Sequence, residues 1–162
     1  MPLLPFDTLL IDSPLSVDQA CQRLQQATGP RKWFRWSGMP AHPFEGTVTA
    51  NEVRIQRGIR YQNSFLPQIH GRIEPRAQGS RLVGTMSLHP AVAVFMMVWF
   101  GAALLIGLPA ILLALGTGDL SEGVWIALAM PLFAWALCTG AFTVEARLAR
   151  QQLEALLEGA SA

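Results

Sequence analysis

The chain has 162 residues, a net charge of +1 and 51% hydrophobic residues, and its charge is too unevenly spread for one soluble globule. Ten Lys or Arg and six Asp or Glu precede Ala91, a net +4, whereas residues 91–144 carry only Asp119 and Glu122. The two cysteines, Cys21 in the polar half and Cys138 in an apolar run, form neither a CxxC motif nor a disulfide framework.

The opening residues, Met-Pro-Leu-Leu-Pro-Phe-Asp, lack a basic n-region and are broken by Pro2 and Pro5, so no secretory signal is expected. Residues 16–28 predict a short helix. Ser16 and Gln19 form a capping-box pair, Val17, Ala20, Cys21, Leu24 and Thr28 make one apolar stripe, and Gly29-Pro30 supply a stop. The next segment, Arg31-Lys32-Trp33-Phe34-Arg35-Trp36, interleaves basic and aromatic residues. Such a composition serves single-strand nucleic-acid platforms and membrane-interface anchors alike. With a half-chain charge of only +4 and no nucleic-acid module, the interface reading is preferred, with Trp33 and Trp36 as its anchors.

After Pro43 the period becomes two. Phe44, Gly46, Val48 and Ala50 alternate with polar residues; Val53, Ile55 and Ile59 alternate with Arg54, Gln56 and Arg60. Ile69, Gly71 and Ile73 alternate with Gln68, His70 and Arg72, and Leu82, Gly84, Met86 and Leu88 continue the pattern. The expectation is an antiparallel meander of four to five strands, the fifth being residues 31–36. Its polar face collects Arg54, Arg60 and Arg72 with Gln56 and His70, of which the arginines and His70 are the candidate contacts. Asn63 lies in the bend before the third strand, and Arg54, Arg60, Asn63, His70 and Arg72 form the candidate surface for a partner or ligand.

Residues 91–115 and 123–144 are uncharged runs of 25 and 22 residues. At 1.5 Å per residue each reaches across a hydrocarbon core of about 30 Å. The loop at 116–122 is rich in Gly and acid and has no Lys or Arg, while basic residues flank the other ends. The positive-inside bias therefore predicts both termini in the cytoplasm of a bacterial inner membrane. His89, just before Pro90, falls at the bilayer surface. Residues 145–162 carry a tail helix with Ala146, Ala149, Leu153 and Leu156 on one stripe, suited to cover the sheet.

The predicted class is thus α+β. A cytoplasmic portion at 1–90 and a C-terminal helix at 145–162 pack together, and a transmembrane hairpin at 91–144 is inserted between them. The motif Tyr61-x-Asn63-Ser64-Phe65-Leu66-Pro67-x-Ile69-x-Gly71-x-Ile73, followed by Met86-x-Leu88-His89-Pro90, resembles a group of small uncharacterised bacterial inner-membrane proteins that join a short sheet to a two-helix hairpin. That resemblance implies the architecture and no mechanism.

No Walker loop, dinucleotide fingerprint or metal-ligand spacing occurs, so no cofactor, metal or nucleic acid is expected. Ser64 with His70 is the one nucleophile–base pair worth naming, and it lacks a nucleophile elbow. Two function classes follow. One is a membrane-anchored interaction module for a protein partner or anionic lipid. The other is a membrane-associated enzyme or small-ligand binder with a pocket between sheet and helices.

Overall fold

The computed structural model describes residues 5–30, 41–49, 51–59, 63–118 and 122–158. The chain opens with β1 (Phe6–Ser13), α1 (Val17–Ala27) and β2 (Thr28–Gly29). It continues through β3 (Phe44–Val48), β4 (Val53–Arg57), β5 (Gln68–Pro75) and β6 (Ser80–Ser87), and ends with α2 (Pro90–Thr117) and α3 (Glu122–Leu157). The strands form one sheet in the order β1-β6-β5-β4-β3-β2.

The α+β class holds, but the sheet is larger than the expected meander and is mixed. Six strands replace four to five, and β2 runs parallel to β3, pairing Thr28 with Phe44 and Gly29 with Glu45. Both differences have local causes. α1 does not end on a left-handed glycine: its C-cap, Thr28, is already extended (φ −113°, ψ 119°), so the chain leaves the helix as a strand. β1 carries an unbroken Leu9-Leu10-Ile11 run that blurs alternation in the sequence. Paired antiparallel with β6, it resolves into buried Leu9, Ile11 and Ser13 against outward Phe6, Thr8, Leu10 and Asp12. The strand proposed at residues 31–36 lies outside the described residues.

The capping box at α1 forms as the spacing predicts. The Gln19 N–H donates to Ser16 Oγ at 3.3 Å and the Ser16 N–H donates to Gln19 Oε1 at 3.1 Å. This fixes the helix start, so that Ala20, Cys21, Leu24 and Ala27 face the sheet. Burial raises the Cys21 thiol above its ordinary pKa, with Asp18 adding to the effect. Gly71 sits opposite Gly84 on β5 and β6. A Cβ at Gly71 would lie 2.6 Å from the Val83 carbonyl oxygen, so this pair lets two backbones approach where side chains could not.

α3 is a single 36-residue helix. Its C-terminal part lays Ala146, Ala149, Leu153 and Leu157 on the sheet beside α1, completing a two-layer core. The last carbonyls of a helix have no intrahelical donors. Here the Ser13 hydroxyl donates to the Leu157 carbonyl at 2.6 Å and Arg23 to the Leu156 carbonyl at 3.3 Å. Arg150 reaches β1 as well, donating to Asp7 Oδ2 at 3.0 Å and to the Thr8 carbonyl at 2.7 Å.

α2 and the first part of α3 are long and apolar enough to cross a membrane, and only 6% and 11% of their most apolar windows are buried. Leu105, Ile106 and Phe133 are 70–77% exposed. Neither helix is broken by its proline, Pro109 or Pro131. The two helices are in contact at Gly107, where an added Cβ would lie 3.4 Å from the Ala127 Cβ. Gly101 and Gly140, each in a small-residue cluster of the sequence, face open space.

Candidate functional site

Strand alternation gives the sheet two unlike faces. The inner face is filled by α1 and α3, and its residues Leu9, Phe44, Val53, Ile69 and Met86 are fully buried. The space between sheet and helices is therefore occupied by core side chains. The outer face presents Thr47 on β3, Arg54 and Gln56 on β4, Gln68, His70, Arg72 and Glu74 on β5, Thr85 on β6 and Thr8 on β1.

At the end of this face nearest α2 lies a cleft of about 280 Å³. Arg54 and His70 are register partners across β4 and β5, as are Gln56 and Gln68 one step nearer to α2. Glu45, opposite Gln56 on β3, and the His89-Pro90 corner complete the wall. The side chains of Gln56, Gln68 and His70 make no hydrogen bond among the described residues. His89 is the N-cap of α2, and its Nδ1 accepts the Ala91 N–H at 3.2 Å. With Nδ1 engaged as an acceptor, Nε2 is the ring nitrogen that can donate.

Of the expected surface residues, the structure thus brings Arg54 and His70 together and adds His89 to them. Arg72 stands farther along β5, bonded to Glu74 at 2.6 Å. Asn63 is used internally, and Arg60, Trp33 and Trp36 lie outside the described residues. Ser64 is exposed and does not line the cleft that holds His70. Gln56, which the alternation already puts on the polar face, joins Arg54, His70 and His89, and Glu45 and Gln68 are additions outside the expected surface. Their outward parity was legible, but their convergence depends on the registers of β3, β4 and β5.

Asn63 belongs to a buried ionic cluster on the inner side. Arg57 Nη1 donates to Glu145 Oε2 at 2.6 Å and Asn63 Nδ2 donates to Glu145 Oε1 at 3.2 Å, while Asn63 Oδ1 accepts the Phe65 N–H at 2.9 Å. The side chains of Arg57 and Glu145 are 14% and 5% exposed. Glu145 lies one residue past the uncharged run of α3, so the cluster ties β4 and the 63–65 bend to the point where that run ends.

The outer face carries little net charge. Arg54 pairs with Glu52 at 2.5 Å, Arg72 with Glu74, and both Arg76 and Arg81 with Asp12 at 2.9 and 2.6 Å. The hydrogen bond from Arg81 is the main reason that the Asp12 carboxyl titrates below its ordinary value, and the bond correspondingly raises Arg81. A lowered carboxylate pKa stabilises the fold above the ordinary range near pH 4, and the contribution is lost as pH falls through the lowered value. The melting temperature of the wild type should therefore fall more steeply below about pH 4 than that of Asp12→Asn. Parallel pH curves for the two would contradict this.

The larger cavity, about 420 Å³, is an apolar groove between the membrane-length helices, flanked by Trp99 and Ala103 on α2 and Ala127 and Pro131 on α3. Among the described residues no three His, Cys, Asp or Glu side chains are grouped as a metal site would need. Comparison of the chain with protein-family models, with curated proteins and with solved structures gave no match.

Proposed function

We propose that this protein is a two-pass, membrane-anchored interaction module whose outer sheet face docks a protein partner at the cytoplasmic surface of a bacterial inner membrane. The observation that carries the reading is the asymmetry of the sheet. One face is sealed by two helices, and the other stays open and polar beside the first residue of a membrane-length helix. The burial of only 6% and 11% in the apolar windows of α2 and α3 favours lipid over a soluble core as their surroundings. Ten Lys or Arg before Ala91, against none in residues 116–123, favour cytoplasmic termini.

The pairing of each described outer-face arginine with an acid favours a protein over a purely anionic lipid surface, because mixed charges give specificity where a uniform positive patch would give bulk attraction. A photo-crosslinking residue placed at Thr85 or Thr47 tests the reading in cells. It should give one discrete adduct, weakened at least tenfold by Arg54→Glu with Arg72→Glu. The same residue at Gln22 on α1, away from the sheet's outer face, should give none. Equal labelling from all three positions would remove the proposal.

A further inference from the structure

We infer that the protein partner binds by adding one extended segment to the free edge of β1, as a further strand of the sheet. The inference rests on the interaction-module reading above and names the form of its partner.

β1 is the terminal strand of the sheet, and its register with β6 runs unbroken from Phe6 against Ser87 to Ser13 against Ser80. In an antiparallel pair the backbone groups of alternate residues turn toward the neighbouring strand, and those between turn away. Two contacts fix which set is which. A side chain at Gly79, just before β6, would strike the Ser13 carbonyl, so that carbonyl faces β6. The Thr8 carbonyl instead accepts Arg150 Nη2 at 2.7 Å, from outside the strand pair. The N–H and C=O groups of Phe6, Thr8, Leu10 and Asp12 therefore point off the sheet, and among the described residues only the Thr8 carbonyl has a partner.

Edges of this length are commonly blunted by proline, lysine or a bulge. β1 has none of these, and its two acids are neutralised, Asp7 by Arg150 and Asp12 by Arg76 and Arg81. Free donors and acceptors at a strand repeat are satisfied by another extended backbone, which specifies the shape of the occupant. The side chains specify its sequence. Phe6 and Leu10 point outward, 49% and 57% exposed, and call for apolar residues four apart beside them. Around the far end of the strand Arg72, Arg76 and Arg81 meet Glu74 and Asp12, three guanidinium groups against two carboxylates. The residue placed opposite Asp12 is accordingly an acid.

A second copy of this chain does not fit the edge. α3 meets β1 first through Arg150 at Thr8 and then through Leu157 at Ser13, so strand and helix run in the same sense, away from the bilayer. A symmetric pair of β1 edges forms its hydrogen bonds only antiparallel, and that reversal would turn the second hairpin out of the membrane. The added segment therefore comes from a different protein.

The test places a photo-crosslinking residue at Thr8 of the full chain in cells and combines it with Leu10→Pro. Edge strands accept proline where the N–H faces outward, so this variant should fold with a melting temperature close to that of the wild type. Its adduct should weaken by about tenfold or more, because the added strand loses a donor and meets a ring at its centre. Phe6→Lys with Leu10→Lys changes only exposed side chains and should weaken the adduct as much; it decides the matter if the proline variant does not fold. Fragmentation of the adduct should place the crosslink in another protein, in a segment with apolar residues four apart and an acid two positions beyond.

An adduct of twice the chain's mass would overturn the inference, and so would an adduct that keeps its strength in the folded variants. If the Thr85 adduct still depends on Arg54 and Arg72 in that case, the face docks a partner and strand addition alone falls. If Thr85 gives no adduct either, the interaction reading falls with it.

Discussion

Glu145→Ala should destabilise the protein by about 3–5 kcal/mol, among the largest losses available from one side chain, because it leaves the Arg57 guanidinium buried beside the core without its carboxylate. The loss has two parts. The 2.6 Å charge-assisted bond disappears, and Asn63 Nδ2 loses its acceptor, loosening the bend that seats Phe65 against the core. Arg57 Nε is already buried without a hydrogen-bond partner, so the guanidinium has little else to fall back on. Replacing both charges, as in Arg57→Met with Glu145→Leu, should recover most of the stability, since a desolvated ion pair is often matched by apolar residues of similar volume. Thermal unfolding in mild detergent measures these variants together with the single Arg57→Met and Glu145→Leu, which close the double-mutant cycle. Additive losses, with no recovery in the double variant, would show that the two groups act independently.

Phe142→Ala should cost a similar amount, about 3–5 kcal/mol, through a different mechanism. Phe142 is 1% exposed and sits in the core cluster beneath the sheet although it belongs to the uncharged run of α3. It is therefore a ring of the membrane-length segment buried in the core between sheet and helices. Removing it leaves a cavity where helix and sheet join, and the neighbouring backbone cannot collapse freely because α3 is pinned at its far end by Ser13 and Arg23. The melting temperature should drop by about 10 °C or more. Phe133→Ala provides the contrast: Phe133 is 70% exposed and should change stability little in detergent. Equal effects of the two substitutions would mean that the core does not extend into the apolar run.

These two sites mark the limit of what could be read before the fold was seen. The capping box of α1 was legible because both partners are three residues apart. The two membrane-length runs were legible because length and absence of charge are one-dimensional properties. Alternation correctly sorted Val53, Ile55, Ile69 and Ile73 inward and Arg54 and His70 outward. The same parity places Arg57 inward, where a cation needs an acid, but its acid is 88 positions away and sits in the tail helix among surface charges. Arg72 was grouped with the partner surface although Glu74, on the same face two residues later, neutralises it. β1 was missed because its three consecutive apolar residues mask the period, and its pairing with the distant β6 supplies what the local pattern lacks. The cleft needed the register: outward residues on three strands converge there only because Gln56 pairs with both Glu45 and Gln68.

Rigid coupling is what the fold adds to the function proposed for it. β6 ends at Ser87 and α2 begins at Pro90, so two residues separate sheet from hairpin, and α3 runs unbroken through both. A partner on the outer face would therefore meet a surface held at fixed height and orientation above the bilayer.

The central claim, that α2 and the first part of α3 cross the membrane with the sheet on the cytoplasmic side, is tested most directly by cysteine accessibility in intact cells. The native thiols Cys21 and Cys138 are buried and are replaced by serine in the background. Single cysteines are then placed at Gly116, which faces open space near the end of α2, and at Gln151, exposed on α3. A membrane-impermeant maleimide should label the Gly116→Cys protein in whole cells and the Gln151→Cys protein only after lysis. Labelling of both positions, or of neither, before lysis would contradict the two-pass arrangement, and the reverse pattern would place the sheet outside.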